Sequence, residues 1–166
     1  FGDPSNTKVR KIAAKALGHI GKASHKAAEV AVNTLARALA GNLMGPQDPD
    51  AEVRVEAAKS LARVPWVDLL GVKALGKALE ALATGSRDEC KKVRYGVAEA
   101  LGQIGKASQE ASEAAVKALA RALAGDSKDP SARVRRKAVE SLSRVPSLSA
   151  VAALTRVFAG DGVLAG

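Results

Sequence analysis

The sequence predicts an all-α protein, an α-solenoid of four antiparallel helix pairs with eight helices. A helical skeleton of Val-Arg, small residues, Leu and a branched aliphatic residue occurs four times, anchored at Val9, Val53, Val93 and Val134. The anchor valines are 44, 40 and 41 residues apart, a period typical of stacked helix hairpins that cannot bury their apolar faces alone. Of the 166 residues, 47% are hydrophobic but only 2% are aromatic, which predicts a thin, alanine-rich core.

A longer repeat contains this shorter one. Residues 8–41 and 92–125 align without a gap and are identical at 23 of 34 positions. The odd units therefore resemble each other more than they resemble the even ones, and the chain is a duplicated pair of hairpins. The predicted domain is a single solenoid over residues 1–166, with a flexible tail at 161–166 and repeats at approximately 3–41, 48–85, 86–125 and 129–160.

Local signals predict where the helices begin. Ser24 and Ser108 are predicted N-caps of the second helices of the odd units, because a serine oxygen accepts a hydrogen bond from a free amide there. Asp48 and Asp129 each precede a proline, which suits the first turn of a helix because its missing amide costs nothing. We therefore expect these two aspartates to cap the first helices of the even units.

Other sequence signals predict one further helix start and the helix ends. Ser86 and Glu89 have the spacing of a capping box, and Pro65 and Pro146 are expected to end the first helices of the even units. Glycines that favour the left-handed region are predicted to end four helices, at Gly41, Gly85, Gly125 and Gly160. The predicted helices span residues 4–20, 24–40, 49–63, 66–84, 87–104, 108–124, 130–144 and 147–159.

Motifs within the repeats resemble a known family. The string Asp-Pro, Val-Arg and Ala-Leu-Gly-x-Ile-Gly occurs at Asp3-Pro4, Val9-Arg10 and residues 16–21. It resembles HEAT repeats, specifically the short HEAT-like variety first noted in phycobilisome lyases, and the resemblance covers nearly the whole chain. It implies a right-handed superhelix whose second helices line a concave face that typically holds a protein partner.

The resemblance also implies a structural role for certain charged residues. In this family an Asp at the start of the first helix and an Arg six residues later often form a ladder between neighbouring repeats. Asp3 and Arg10 are one residue further apart than this spacing. The pairs that keep the spacing are Asp48 with Arg54, Asp88 with Arg94, and Asp129 with Arg135.

The second helices are the predicted partner-binding elements, because stacking would bring their outward stripes into register. The interpretation competes with simple intrahelical support, since Glu113 and Lys117 have the spacing of a favourable pair. Trp66 is either an interface anchor, as large aromatics often are, or a core residue that plugs the hairpin turn. The candidate residues are Glu29, Asn33, Arg37, Trp66, Lys73, Lys77, Glu80, Glu113, Lys117, Arg121 and Arg156.

Charge favours an alternative function. The chain has 26 Lys and Arg against 17 Asp and Glu, a net charge of +9, and a basic solenoid can bind phosphate backbones. Few aromatics are available to stack on bases, which argues against a single-strand binder. A solvated helix face explains the densest basic cluster more simply; that cluster is Lys128, Arg133, Arg135, Arg136 and Lys137.

Residues suited to catalysis or metal binding are few. His19 and His25 could approach across a turn, yet no third ligand has a suitable spacing. Cys90 is expected in the first turn of a helix, where a thiolate can be stabilised, although an ordinary surface cysteine is the simpler interpretation. The glycines in residues 17–22 follow a helix rather than a strand, unlike a phosphate loop. We therefore expect no enzymatic activity, no metal and no cofactor.

The sequence thus predicts a non-enzymatic scaffold or sensor region that binds a protein. A nucleic-acid backbone clamp is the first alternative. The resemblance alone suggests another, a bilin lyase or isomerase subunit or a phycobilisome-handling factor. One cysteine rules out an internal disulfide, and no long uncharged apolar run predicts a membrane span; a cytoplasmic location is expected. Four equivalent leucines should be buried: Leu17, Leu61, Leu101 and Leu142.

Overall fold

The computed structural model describes residues 4–20, 24–41, 45–64, 72–125 and 128–159. These ranges contain eight α-helices and no β-strand. The predicted tail at 161–166 lies outside them. The helices are α1 (Pro4–Ile20), α2 (His25–Ala40), α3 (Ala51–Arg63), α4 (Val72–Gly85), α5 (Lys91–Ile104), α6 (Gln109–Arg121), α7 (Ala132–Leu142) and α8 (Leu148–Ala159).

The helices form two layers. The first helices of the pairs, α1, α3, α5 and α7, pack on one another in that order, and α2, α4, α6 and α8 do the same beside them. We call α1–α2 unit 1, α3–α4 unit 2, α5–α6 unit 3 and α7–α8 unit 4. Each unit contacts its sequence neighbours, so the predicted solenoid of helix pairs is confirmed.

The apolar core runs along the seam between the two layers. Leu61, Leu101 and Leu142 are at most 2% exposed, as the repeat register predicts. Leu17 packs against the core but is only partly buried. The prediction holds fully for three of the four leucines, and the exception lies in unit 1, the first of the described units.

Small residues set the spacing of the first helices. A Cβ atom added to Gly18 would lie 2.8 Å from the Cβ atom of Ser60, and one added to Gly102 would lie 2.7 Å from that of Ser141. Real Cβ atoms do not approach this closely, so α1–α3 and α5–α7 pack at near backbone contact. The glycine of the Ala-Leu-Gly motif is required by this approach.

Several predicted helix ends are confirmed. The Oγ atoms of Ser24 and Ser108 accept hydrogen bonds from the amides of Ala27 and Ala111, at 3.2 and 3.1 Å. Gly41 is the C-cap of α2 and has a φ angle of 70°, in the left-handed region that favours glycine. Gly125 also has a positive φ angle, 67°, but α6 ends at Arg121 with Ala122 as its C-cap, so the helix end predicted at Gly125 is wrong. Gly85 lacks a positive φ and is the last residue of α4, so that prediction is wrong. Gly160 lies outside the described residues.

Helix α1 begins at residue 4 as predicted, whereas α3, α5 and α7 begin two to four residues later than predicted. Helix α3 is capped by Asp50, whose Oδ1 accepts from the Glu52 amide at 2.8 Å. Asp48 instead accepts from the Asp50 amide at 2.9 Å, and Asp129 likewise precedes a cap at Ser131. The carboxylates of Asp48 and Asp129 are also bound by arginine side chains. The two aspartates therefore order the turn before the helix and do not cap the helix itself.

The capping box predicted at Ser86 and Glu89 does not form. The Ser86 hydroxyl donates to the carbonyl oxygen of Ala83 at 2.7 Å, so it closes the preceding helix. The N-cap of α5 is Cys90. Helix α5 therefore begins later than predicted.

Candidate protein-binding face

An Arg–Asp ladder links the first helices. Each arginine donates from Nε and Nη2 to both carboxylate oxygens of the aspartate in the following unit. The distances are 2.9 and 3.3 Å for Arg10 with Asp48, 2.8 and 3.0 Å for Arg54 with Asp88, and 2.6 and 3.1 Å for Arg94 with Asp129. The ladder is present, and Arg10 forms a rung because it reaches forward to Asp48.

The third guanidinium nitrogen of Arg54 and of Arg94 explains the six-residue spacing. Arg54 donates from Nη1 to the carbonyl oxygens of Asp48 and Pro49, at 2.9 and 3.1 Å. The arginine thus ties the turn before its own helix to the aspartate of the next unit. Asp88 Oδ1 also accepts from the Cys90 amide at 2.8 Å, so one carboxylate serves a turn and a rung.

The central rung is the most buried. The side chains of Arg54 and Asp88 are 4% and 1% exposed, where a charge is stable only when it is paired and hydrogen-bonded. The hydrogen bonds that Arg54 donates to Asp88 raise the pKa of Arg54, and those that Arg94 donates to Asp129 raise the pKa of Arg94. The rungs are structural, and their charges are not available to a ligand.

Arg135 occupies the rung position of unit 4. Its Nη1 donates to the carbonyl oxygens of Asp129 and Pro130, at 2.7 and 3.2 Å, as the interior arginines do. Among the described residues, which contain no unit after unit 4, its Nε and Nη2 have no aspartate to bind. Arg135 therefore orders its own turn without forming a rung.

The second helices present a different surface. A groove of about 740 Å³ lies between α2 and α4 and is lined by Asn33, Arg37, Lys77 and Glu80 among others. Lys77 Nζ donates to Asn33 Oδ1 at 2.9 Å, which shows that the stripes of these two helices are in register. Within the described part of the chain, the exposed side chains of Arg37 and Glu80 have no polar partner.

The remaining candidates extend along the same layer. Glu29, Lys117 and Arg156 are exposed. Glu113 accepts from Gln109 Nε2 at 3.2 Å; the intrahelical pair with Lys117 does not form. Intrahelical support therefore does not account for the lysine.

Three other candidate residues are either partly buried or outside the described part of the structure. Arg121 is partly buried and lines a smaller cleft of about 400 Å³ beside Asp88 and Arg94, so it lies near the ladder. Trp66 lies outside the described residues. Lys73 belongs to α4, but its side chain lies outside the described part.

The basic cluster does not form one free surface. Lys137 is 9% exposed and its Nζ donates to Glu140 at 2.6 Å, which raises the pKa of Lys137. Lys137 and Arg133 both lie 5.1 Å from the centre of the Tyr95 ring, a distance typical of cation–π contacts. Three of the five residues, Arg133, Arg135 and Lys137, thus have structural contacts; Lys128, Arg133 and Arg136 are exposed.

The sequence interpretation missed two bridging residues. Glu52 accepts from Lys11 and from Lys92, both at 3.1 Å, and so joins three first helices. Tyr95 joins α5 to α7 through Arg133. The signal was present, because all of these residues lie within two positions of a repeat anchor, but contact between them depends on how the helices stack.

The described residues contain no group of three His, Cys, Asp or Glu side chains that could hold a metal ion. His19 and His25 are both exposed, and Cys90 is partly buried. No helix in the described ranges has the length and hydropathy needed to cross a bilayer.

Solved structures similar to this chain share its architecture. One engineered protein matches with a TM-score of 0.59 at 22% identity, and the match covers 96% of this chain and 66% of the engineered protein. Two other engineered proteins match at 22% identity with TM-scores of 0.58 and 0.55, covering 89% of this chain and 61% and 37% of theirs. The chain spans less than two thirds of each, and the likeness shows the fold alone.

Family comparison agrees with the fold. No curated protein matches the chain. The model of HEAT repeats matches residues 42–128 and 87–163, which together span most of the sequence. Two rungs of the ladder, Arg54–Asp88 and Arg94–Asp129, and the contact of Gly102 with Ser141 lie within the matched residues. The chain belongs to the HEAT-repeat family.

Proposed function

We propose that the face formed by α2, α4, α6 and α8 binds a protein partner. HEAT repeats generally mediate contacts between proteins, and the resemblance implies that the second helices line the concave side. The chain is thus a non-enzymatic scaffold or sensor region. The function resides in a continuous helical surface.

One contrast carries this proposal. In the first-helix layer, charged side chains such as Arg54, Asp88 and Glu52 are engaged in contacts between units. In the second-helix layer, Arg37 and Glu80 border an open groove without a polar partner in the described ranges. Exposed arginines beside a groove are frequent anchors of protein interfaces.

The groove also suggests the chemistry of the partner. Arg37 and Lys77 supply cations on α2 and α4, and Glu80 supplies a carboxylate close by. A partner segment with a carboxylate facing Arg37 and Lys77 and a cation facing Glu80 would complement it. Complementary charges of this kind set specificity and association rate.

The test is quantitative capture of proteins from a nuclease-treated lysate of the source cells. The wild-type chain, the variant Arg37→Glu/Lys77→Glu and a control, Lys91→Glu, are compared. Lys91 is exposed on the first-helix layer. The proposal expects a protein that is captured by the wild type and the control but binds the double variant at least about tenfold more weakly, a difference of about 1.4 kcal/mol.

Two outcomes would overturn the proposal in favour of an alternative. Capture that disappears with nuclease, together with a steep fall of nucleic-acid affinity with salt, would indicate a backbone clamp; the log–log slope is about one unit per phosphate neutralised. Visible absorbance of the protein purified from its source cells would indicate a bound bilin.

A further inference from the structure

The two layers of helices carry very different charge. The first helices, α1, α3, α5 and α7, contain 14 Lys and Arg residues against four Asp and Glu. The second helices contain seven Lys and Arg against four Asp and Glu. The first helices therefore have a net charge of +10 and the second helices one of +3, so most of the positive charge lies in one layer.

Pairing within the layer neutralises only part of this charge. The three rungs place a turn aspartate on Arg10, Arg54 and Arg94. Two further pairs join Arg63 to Glu56 and Lys137 to Glu140. The cations that remain exposed on the described first helices are Lys8, Lys15, Lys91, Lys92, Arg133 and Arg136.

The repeat register brings part of the excess charge into one row. The row takes from each unit the residue before the anchor valine and the residue two places after it. Lys11 and Lys92 each lie 3.1 Å from the Glu52 carboxylate, and Arg133 lies 5.1 Å from the centre of the Tyr95 ring. These contacts carry the row across all four first helices. We call it the basic row; its members are Lys8, Lys11, Glu52, Val55, Lys92, Tyr95, Arg133 and Arg136.

The charge forms a line along the solenoid. The basic row contains five cations and one acid, and the Lys92 side chain is 70% exposed. The positions six places after the anchor valines are mixed, with Lys15 and Lys59 on the first two helices but Glu99 and Glu140 on the other two. The excess positive charge is thus concentrated at one level of the outward face.

The dimensions and the chemistry of the basic row point to a linear polyanion. Packed helices lie roughly 8–10 Å apart, so a row across four of them is about 25–30 Å long, close to one turn of a DNA duplex, about 34 Å. Tyr95 is the one aromatic residue of the row, and both Arg133 and Lys137 contact its ring. The ring is therefore not free to stack on a base.

We propose that the basic row binds the phosphate backbone of a nucleic-acid duplex without reading its sequence. A duplex carries one negative charge per about 1.7 Å of its axis, and cations that neutralise phosphates release counterions. An anionic lipid surface would also meet Glu99 and Glu140, whereas a duplex along the row avoids them. The row shares only Arg133 and Arg136 with the cluster identified in the sequence, because its other cations come from units 1 and 3. It lies on the layer opposite the proposed protein-binding face and does not rest on that proposal.

The first test is fluorescence anisotropy with a labelled DNA duplex of about 20 base pairs, measured between ~50 and ~200 mM salt. The wild type should bind with a Kd on the order of 10⁻⁴–10⁻⁶ M at physiological salt and a log–log salt slope of about −3 to −4. Duplexes rich in G·C and in A·T should bind equally. Lack of binding at the lowest salt would overturn the proposal, as would a strong preference for one duplex.

A matched pair of variants separates the basic row from net charge. Lys92→Gln/Arg136→Gln removes two row cations, and Lys26→Gln/Lys106→Gln removes two exposed cations elsewhere. The row variant should bind at least about tenfold more weakly, with a slope flatter by about two units. The control should stay within about twofold of the wild type, because salt screens distant charges. Equal losses would overturn the proposal, and circular dichroism checks that both variants fold.

Removing the acid of the row should have the opposite effect. Glu52→Gln should tighten binding about threefold to fivefold, because Lys11 and Lys92 would lose the carboxylate that they now contact and could bind phosphates. Glu110→Gln, an exposed position on α6, removes the same charge and should leave the affinity unchanged. Weaker or unchanged binding by Glu52→Gln would contradict the assignment of the row.

Other polyanions complete the test. Vesicles containing phosphatidylserine and poly-L-glutamate are titrated under the same conditions, and the duplex should bind more tightly than either. Tighter binding of vesicles or of the polypeptide would overturn the assignment to nucleic acid. The protein-binding proposal is judged separately, because its captured partner must persist after nuclease treatment and depend on Arg37 and Lys77.

Discussion

Units 1 and 3 have nearly the same sequence in different surroundings. Their aligned segments share 23 of 34 residues, yet Val9 is 65% exposed where Val93 is fully buried. Leu17 is only partly buried where Leu101 is 2% exposed. In unit 3 these positions face the preceding unit, whereas the described residues contain no unit before unit 1. In a solenoid, a neighbour as well as the residue type decides burial.

Residues that face the following unit behave differently. Arg10 and Arg94 both form rungs with the next aspartate. Gly18 and Gly102 both meet a serine of the next first helix at nearly the same distance. The two units are therefore equivalent on one side and unequal on the other.

Removing an aspartate from the ladder should have the largest effect. Asp129→Ala would leave Arg94 unpaired at a site where its side chain is 12% exposed, and we expect a loss of about 3–5 kcal/mol in the free energy of unfolding. Asp48→Ala should cost less, because the Arg10 side chain is 32% exposed and water can replace the carboxylate. Urea denaturation of both variants measures the difference, and equal costs would contradict it.

Truncating the repeat leucine tests the side on which units 1 and 3 differ. Leu101→Ala should cost on the order of 2–5 kcal/mol, because it leaves a cavity between packed helices. Leu17→Ala should cost no more than about half as much, since that side chain is already partly solvated. Denaturation of the two variants under one set of conditions checks this, and a loss below about 0.5 kcal/mol for Leu101 would contradict the aligned register.

Adding a methyl group to Gly18 or Gly102 tests the side on which units 1 and 3 are equivalent. Gly102→Ala and Gly18→Ala should each destabilise the fold by about 1–3 kcal/mol and by similar amounts, because both force first helices apart. Gly76→Ala is the control: it lies in α4, and its added Cβ would meet nothing within 4 Å. It should stabilise the fold by about 0.5–1 kcal/mol. Thermal unfolding of the three variants measures these changes in stability.

Protonation of Glu52, which pairs with Lys11 and Lys92, should have the smallest effect on the free energy of unfolding. Hydrogen bonds from Lys11 and Lys92 lower the pKa of Glu52 below its ordinary 4.5. A lowered folded-state pKa stabilises the protein above pH 4.5, and that contribution is lost as the pH falls through the folded value. Because Glu52 is 45% exposed, we expect roughly 0.2–1 kcal/mol at most. The pH dependence of unfolding of Glu52→Gln should differ from that of the wild type only in this acid range.

The predicted candidate face is a mixed result of sequence reasoning. The spacing of four between Glu29, Asn33 and Arg37 correctly indicated an outward stripe, because residues at that spacing share a helix face. It did not reveal that Asn33 meets Lys77, nor that Arg121 lies beside the ladder. Those contacts depend on the offset between helices that are more than forty residues apart in sequence.

By itself the sequence determined the four-unit period and the number of helices found in the described residues, because periodicity is a local property of the chain; the resemblance to HEAT repeats supplied the expectation of an Arg–Asp ladder. Only the tertiary structure decided that Asp48 and Asp129 shape turns instead of capping helices, and that Lys137 is held by Glu140 and Tyr95. It also decided which repeat valines are buried. The physical reason is common to all three: these properties depend on the adjacent unit, and a repeat does not record in its own residues whether a neighbour is present.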